Sequence, residues 1–281
     1  MRHLIFLFVD HFEPRAPEEA LSWAREYPER ARRFADAAGH SPRHTWFYDE
    51  DNPRILDILG GLCRKGFGEI ELHLHHSRDT AESLREKLEE RKRRWSAQGA
   101  MVTVGRGERC RFAVIHGKWS LDNSRGPEHC GVNNELTVLR EAGCFADFTF
   151  PAWGPMQPRR VNSLYYATDD PARPKSYDDG TPVAVGRPPS GDLMIFQGPG
   201  RLSGIPAACA WLPGAAWLAD RLWLTCALDA HLPPWPGRVD RWVRANVHVA
   251  GRPEWVFVKV HTHGAREIGR ASCRERVFRV V

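Results

Sequence analysis

Histidines are concentrated at one point of the chain, in the segment GEIELHLHHSRDT at residues 68–80. Three of them, His73, His75 and His76, fall within four positions at the end of an alternating, strand-like run. Side chains two residues apart on a strand point to the same face, so His73 and His75 share a face opposite the leucines. This pattern is typical of imidazoles that bind a metal ion or move a proton.

Three other strand-like runs also end in aspartate or histidine. FLFVDH ends at Asp10 and His11, RFAVIH ends at His116, and VFVKVHTH carries His261 and His263 on one face. Active sites of (β/α) barrels are assembled at the carboxyl ends of several strands. Four strands that finish in this way predict one shared polar site rather than independent surface histidines.

Strand and helix signals alternate along the first half of the chain and return near its end. Apolar periodicity marks the helices, and Gly66 and Gly143 stop two of them. Such alternation predicts an α/β fold with a largely parallel sheet or barrel. The predicted strands are 4–10, 44–48, 69–75, 111–116, 146–150 and 255–263, and the predicted helices are 17–37, 53–65, about sixteen residues from Thr80, and 134–142.

The segment from about 155 to 235 is predicted to be a loop-rich insertion in a single domain that spans residues 1–266. Proline, glycine and aspartate in 171–191 indicate a long loop, whereas 202–235 is rich in alanine, tryptophan and proline. Asp220 and Arg221 interrupt its apolar run, which favours a buried helix over a membrane span. The apolar N-terminal run covers only six residues, so we expect no signal peptide and no transmembrane segment.

The charge pattern argues against a nucleic-acid-binding protein, and the cysteine pattern predicts reduced thiols. The net charge is +5, but acidic and basic residues are interleaved, and RKRR at 91–94 lies among glutamates on a predicted helix. This arrangement indicates a solvated helix face rather than a nucleic-acid site. The seven cysteines include no C-x-x-C pair, which predicts reduced thiols in a cytoplasmic protein.

The last residues carry a different signal. EIGRASCRERV at 267–277 is similar to what one reading frame of a common sequencing-adapter oligonucleotide encodes. This similarity indicates that 267–281 is a non-native tail and that the natural C-terminus of the barrel is missing. The alternative is a genuine basic tail.

An aspartate with several histidines and no cysteine cluster suits a divalent metal ion, with zinc the best fit. An open coordination position on zinc holds a water whose pKa falls to about 7. Hydrolysis of an amide or an ester is the natural chemistry of such a site.

The order of these pieces resembles that of the polysaccharide deacetylases with a NodB-like fold, which are distorted (β/α)-barrel carbohydrate esterases. A closer likeness is to an uncharacterised bacterial group that carries VDHFEP, HLHH, HGxWxLDNSR and HTHG. The resemblance implies a hydrolase that removes N- or O-acetyl groups from a polysaccharide or amino sugar. The segments that carry it are FVDH (8–11), RHTWFY (43–48), GEIELHLHH (68–76), RFAVIHGKWSLDNS (111–124) and VKVHTHG (258–264).

The same resemblance implies roles for individual residues. Asp10 is expected to be the general base, and His73 and His75 are expected to hold the ion together with His11 or His76. His261 or His263 is expected to protonate the departing amine. The residues expected to line the sugar groove are His116, Trp119, Asp122 and Asn123, although local hydrogen bonds in a loop would also explain the last two.

Three departures from the family pattern leave alternatives open. His11 stands where the family has a second, metal-binding aspartate, and Ser77 stands where a histidine four residues after His73 is usual. No arginine-proline motif follows near His116. The alternatives are another metal-dependent barrel hydrolase, such as an amidohydrolase or a PHP-type phosphoesterase, and a carbohydrate-binding relative without catalysis. The histidines of HSPRH at 40–44 have ligand spacing, but they precede TWFY (45–48), where the family keeps no ligands, so we do not place them in the site.

Overall fold

The structure, a computed structural model, describes residues 1–101, 103–104, 109–152, 154–200, 226–228 and 234–266. Most of the segment 202–235 and the whole tail 267–281 therefore lie outside the described residues. Strands and helices alternate as far as β7, with β4 and β5 forming a small separate pair. In chain order the elements are β1 (His3–Phe12), α1 (Pro17–Ala31), β2 (His44–Tyr48), α2 (Pro53–Arg64), β3 (Gly68–Leu74), α3 (Ala81–Ala97), β4 (Thr103–Val104), β5 (Arg109–Cys110), β6 (Phe112–His116), α4 (Glu135–Ala142), β7 (Cys144–Asp147), β8 (Leu164–Ala167), β9 (Gly180–Pro182), β10 (Leu193–Phe196), α5 (Pro236–Ala245) and β11 (Trp255–Thr262).

Nine of the strands form one mostly parallel sheet in the order β11-β1-β2-β3-β6-β7-β10-β8-β9. All pairs from β11 to β10 are parallel, and β8 is antiparallel to both β10 and β9. The predicted α/β class with a largely parallel sheet is therefore confirmed. The order places the carboxyl ends of β11, β1, β2, β3 and β6 side by side, as a shared site requires.

Local sequence signals explain the helices that flank these strands. Helix α2 has Pro53 in its first turn, and the Asn52 side chain accepts hydrogen bonds from two backbone N–H groups at its start. Helix α3 begins after Thr80, which forms a reciprocal capping box with Ser83. Helix α4 ends at Ala142, and the next residue, Gly143, has a φ of 105°, the left-handed conformation that glycine adopts without strain. Each side-chain cap stabilises its helix by about 1 kcal/mol.

The two faces of the sheet have different surroundings. The helix-covered face carries Trp46, Leu72 and Val114, which pack against helices α1 to α4 in the main hydrophobic core. The opposite face, which we call the inner face, carries Phe47 and Ile115 in a separate buried cluster. Because strand side chains alternate, the last residues of each strand are divided between these two faces.

The predicted elements differ from the observed ones in a few places. The loop-rich insertion supplies three strands of the sheet, β8, β9 and β10, and β9 lies inside the predicted loop 171–191. Strand β9 has only three residues and ends in proline, and such short edge strands carry little sequence signal. The predicted helix 17–37 ends at Ala31, and Asp36 then accepts the backbone N–H groups of Ala38 and His40 in a turn.

Lys92 and Arg94 of the basic run on α3 are paired with acidic side chains. Lys92 contacts Glu89 at 2.7 Å, and Arg94 contacts both Glu90 and Asp51. Among the residues that the structure describes, no helix is both long and apolar enough to cross a bilayer.

Candidate metal centre

The carboxyl ends of four neighbouring strands place imidazoles and carboxylates together on the inner face. Strand β1 and the residues after it supply two of them, β2 is followed by one, β3 with its following residue supplies two, and β11 with its following residue supplies two. We call this group the inner histidine cluster: His11, Glu13, Asp49, His73, His75, His261 and His263.

The five histidines of this cluster form a continuous set of ring contacts. The ring centroids of His73 and His75 are 4.5 Å apart, and those of His11 and His73 are 4.9 Å apart. His11 stacks on His263 at 4.8 Å and lies 5.9 Å from His261. The structure thus brings together five of the six histidines that the sequence suggested for metal binding and proton transfer.

Two carboxylates complete the cluster. Glu13 Oε1 lies 3.1 Å from His75 Nε2 and 3.6 Å from His73 Nδ1. One donor atom from each of Glu13, Asp49, His73 and His75 lies within 4.8 Å of the other three. Nitrogen and oxygen donors in this number and proximity could hold a divalent ion.

His73 carries the strongest local indication of a missing partner. Its side chain is 1% exposed, yet within the described residues neither ring nitrogen makes a hydrogen bond. A buried polar group without a partner costs about 1–3 kcal/mol, so native proteins rarely leave one unmatched. A metal ion bound to one of these nitrogens would satisfy it, and the donors present therefore fit such an ion.

The protonation state of His73 suits metal binding. Burial, reinforced by the neighbouring His75, lowers the pKa of His73 to about 3. Burial has this effect because it removes the water that would stabilise the charged ring. At neutral pH the His73 ring is therefore uncharged and offers a lone pair without first losing a proton.

His261 on β11 is uncharged for a similar reason. Its pKa falls to about 3, through burial first and then through the charge of Lys259, which lies two residues earlier on the same strand. His261 is therefore also neutral at pH 7. Its Nδ1 lies 3.3 Å from Cys226 Sγ, and this contact fixes the position of the ring.

The two carboxylates have pKa values shifted in opposite directions. The hydrogen bond to His75 lowers the pKa of Glu13, so this group is ionised at neutral pH. Burial raises the pKa of Asp49 to about 6. A carboxylate whose pKa lies near neutral pH can accept a proton and release it again, which is what a general base requires.

The structure directs Asp10 away from the inner histidine cluster. Asp10 is fully buried on the helix-covered face, where Oδ1 accepts hydrogen bonds from Thr262 Oγ1 at 2.7 Å and from Gly264 N at 2.5 Å. Its other oxygen lies 2.9 Å from Nε2 of His44. These contacts join β1, β2 and the end of β11, so the Asp10 carboxylate holds these three strands together.

His76 and His116 also lie on the helix-covered face, apart from the inner histidine cluster. Their Nε2 atoms are 2.8 Å from each other, and His76 Nε2 lies 3.0 Å from Glu135 Oε1. His75 and His76 follow one another at the end of β3, and they point to opposite faces of the sheet. The structure therefore divides the predicted metal ligands between two groups.

The loop after β6 contains the other residues predicted to line a sugar groove. Asp122 is buried and accepts the backbone N–H of Ser176, and Asn123 accepts that of Gly131. Trp119, Asp122 and Asn123 all have positive φ values, between 52° and 55°. Their observed contacts hold loops together.

Sequence reasoning overlooked Glu13 and Asp49 in the inner histidine cluster. Beside His76 and His116 it overlooked Glu135 and also Cys130, whose Sγ lies 3.3 Å from Glu135 Oε2. A signal existed for the first two, because Glu13 follows His11 by two residues and Asp49 directly follows β2. The alternation that grouped the histidines would have included both. Glu135 meets its partners only through the packing of α4, which no local pattern reveals.

No protein-family model, no curated protein and no solved structure matches this chain.

Proposed function

We propose that this protein is a metal-dependent hydrolase whose ion is bound by His73, His75 and Glu13. The observation that carries the proposal is the buried His73 ring, whose two nitrogens make no hydrogen bond to any described residue and lie beside three other possible ligands. His11 is a further imidazole within reach of the same position. We propose zinc as the ion because the donors are imidazole nitrogen and carboxylate oxygen.

The residues around the proposed ion would accept and donate the protons of the reaction. A bound divalent ion would supply acidification of a water and polarisation of a carbonyl group. Asp49, with its pKa of about 6, would accept the proton of the attacking water. His263 is exposed at the rim of the cluster and would donate a proton to the departing group.

We further propose that the substrate is an acetylated polysaccharide or amino sugar and that the sheet is a distorted barrel. The substrate rests on the resemblance of FVDH, HLHH and HTHG to the NodB-like deacetylases. The barrel is supported by the approach of β10 to β11, where the Phe196 and Phe257 rings are 5.4 Å apart. Free thiols at Cys63 and Cys110 support a reducing, cytoplasmic setting.

The position of Asp10 favours a second candidate, a carbohydrate-binding relative without turnover. The resemblance assigns the general base to Asp10, but three hydrogen bonds engage its carboxylate on the opposite face. If Asp49 does not replace it, the protein would bind its ligand without hydrolysing it.

Acetate release from an N-acetylglucosamine oligomer tests the proposal. Zinc-loaded protein is expected to release acetate, His73→Ala is expected to release none, and the exposed-site control His40→Ala is expected to match the wild type. Phosphate release from a phosphate monoester, without acetate release, would instead indicate a phosphoesterase. Bound zinc with neither product would favour the binding protein.

A further inference from the structure

A second group of possible ligands lies on the helix-covered face. His76 follows β3, His116 ends β6, Glu135 begins α4, and Cys130 lies in the loop before α4. All four side chains are buried. One donor atom from each lies within 4.8 Å of the other three, so the group has the dimensions of a metal site.

The outer contacts of the two histidines determine which nitrogens carry protons. His76 Nδ1 lies 3.1 Å from Asp79 Oδ2, and Lys87 Nζ is 2.7 Å from both oxygens of that carboxylate. His116 Nδ1 lies 2.7 Å from the carbonyl oxygen of Gly117. Because both partners are acceptors, each Nδ1 carries a proton.

With both rings in the neutral state that binds a metal, this assignment leaves three lone-pair donors facing one another. The two Nε2 atoms are 2.8 Å apart, and Glu135 Oε1 lies 3.0 Å from that of His76 and 3.4 Å from that of His116. Three acceptors this close repel unless a cation or an added proton lies between them. Imidazoles oriented by a carboxylate or a carbonyl on Nδ1 are the usual arrangement of metal-binding histidines.

Cys130 extends the group to four donors. Its Sγ lies 3.3 Å from Glu135 Oε2. Two imidazoles, one carboxylate and one thiolate, all buried, would supply four zinc-binding donors, which is the number that a closed structural zinc site uses. A single proton on His76 Nε2 would relieve part of the repulsion, but only a metal ion would be bound by all four donors at once.

We propose that His76, His116, Cys130 and Glu135 bind a second divalent ion, of the zinc class, in a closed structural site. The ion would join the ends of β3 and β6 to the start of α4. This site does not depend on the proposed hydrolase activity, because none of its four residues belongs to the inner histidine cluster.

Metal content tests the second site. Zinc-loaded protein, dialysed against metal-free buffer, is expected to retain two equivalents of zinc by mass spectrometry of the metal. His116→Ala and His73→Ala are each expected to retain one, and His40→Ala is expected to retain two. A wild type with a single equivalent, removed by His73→Ala and kept by His116→Ala, would overturn the second site. A single equivalent with the reverse pattern would support this site and contradict the proposed hydrolase site.

Cobalt substitution tests the same site by spectroscopy of the bound ion. The cobalt-loaded wild type is expected to show thiolate-to-cobalt charge-transfer absorption in the near ultraviolet. Cys130→Ser is expected to lose that absorption, whereas Cys144→Ser, a matched change at another buried thiol, is expected to keep it. Absence of the band in the wild type would overturn the four-ligand site.

Discussion

Gly117→Ala should displace a metal ligand without replacing it. A Cβ atom at Gly117 would lie 2.4 Å from Cε1 of His75 and 2.6 Å from both of its ring nitrogens. Ordinary contacts begin at 3.4 Å, so the ring would have to move by 3.4 − 2.4, or about 1 Å. The His75 side chain is 37% exposed and can turn toward solvent, so the fold should tolerate the change.

Gly117→Ala is expected to lower the affinity of the inner histidine cluster for zinc. Changes to residues that orient a ligand typically weaken metal binding about 10- to 100-fold. This range corresponds to about 1.4 to 2.7 kcal/mol of binding free energy. The backbone carbonyl of Gly117 remains available to His116, so only the inner histidine cluster should be affected.

Competition with a chelator of known zinc affinity measures this loss. Gly61→Ala is the matched control, because its added Cβ would meet only Arg64, at 3.9 Å. That control should bind zinc as the wild type does and should be slightly more stable, because alanine favours a helix over glycine by up to about 1 kcal/mol. Equal zinc affinity in both variants would refute the assignment of His75 as a ligand.

Two further predictions concern stability. Asp10→Ala should lower the free energy of unfolding by about 3 kcal/mol or more, because buried donors such as Thr262 and Gly264 lose their acceptor. Urea unfolding measures this loss, with the exposed Asp36→Ala as the control. Loss of hydrolysis at unchanged stability would instead place Asp10 in the site. Burial raises the pKa of Asp122 to about 8 from 3.8, so the folded state keeps a proton that the unfolded state releases, and wild-type stability should fall as pH rises between these values. Asp122→Asn should therefore be more stable than the wild type at pH 8, with a gap that shrinks by at most about 1.4 kcal/mol per pH unit toward pH 4; a gap independent of pH would contradict this reasoning.

The alternation of side chains on strands accounts for how much of the site the sequence predicted. It grouped His73 with His75 and His261 with His263, and the structure keeps each pair on one face. It could not decide between Asp10 and His11, because adjacent residues must point to opposite faces and both faces of this sheet are buried. Which face of β1 is covered by α1 depends on tertiary packing, and the sequence of β1 alone does not show it.

The second group of ligands shows a different limit. His76 and Glu135 are 59 residues apart and meet only after α4 packs beside β3 and β6. No spacing rule connects them, because the loop before α4 has no regular period. The strands of the insertion were missed for a related reason, since β8, β9 and β10 have only three or four residues each.

Anomalous diffraction at the zinc edge from crystals of the zinc-loaded protein tests the central claim most directly. We predict a peak in the inner histidine cluster, about 2.0–2.1 Å from a ring nitrogen of His73 and from one of His75. A zinc-loaded crystal with no peak there, and with the His73 nitrogens still unbonded, would contradict the proposed metal centre.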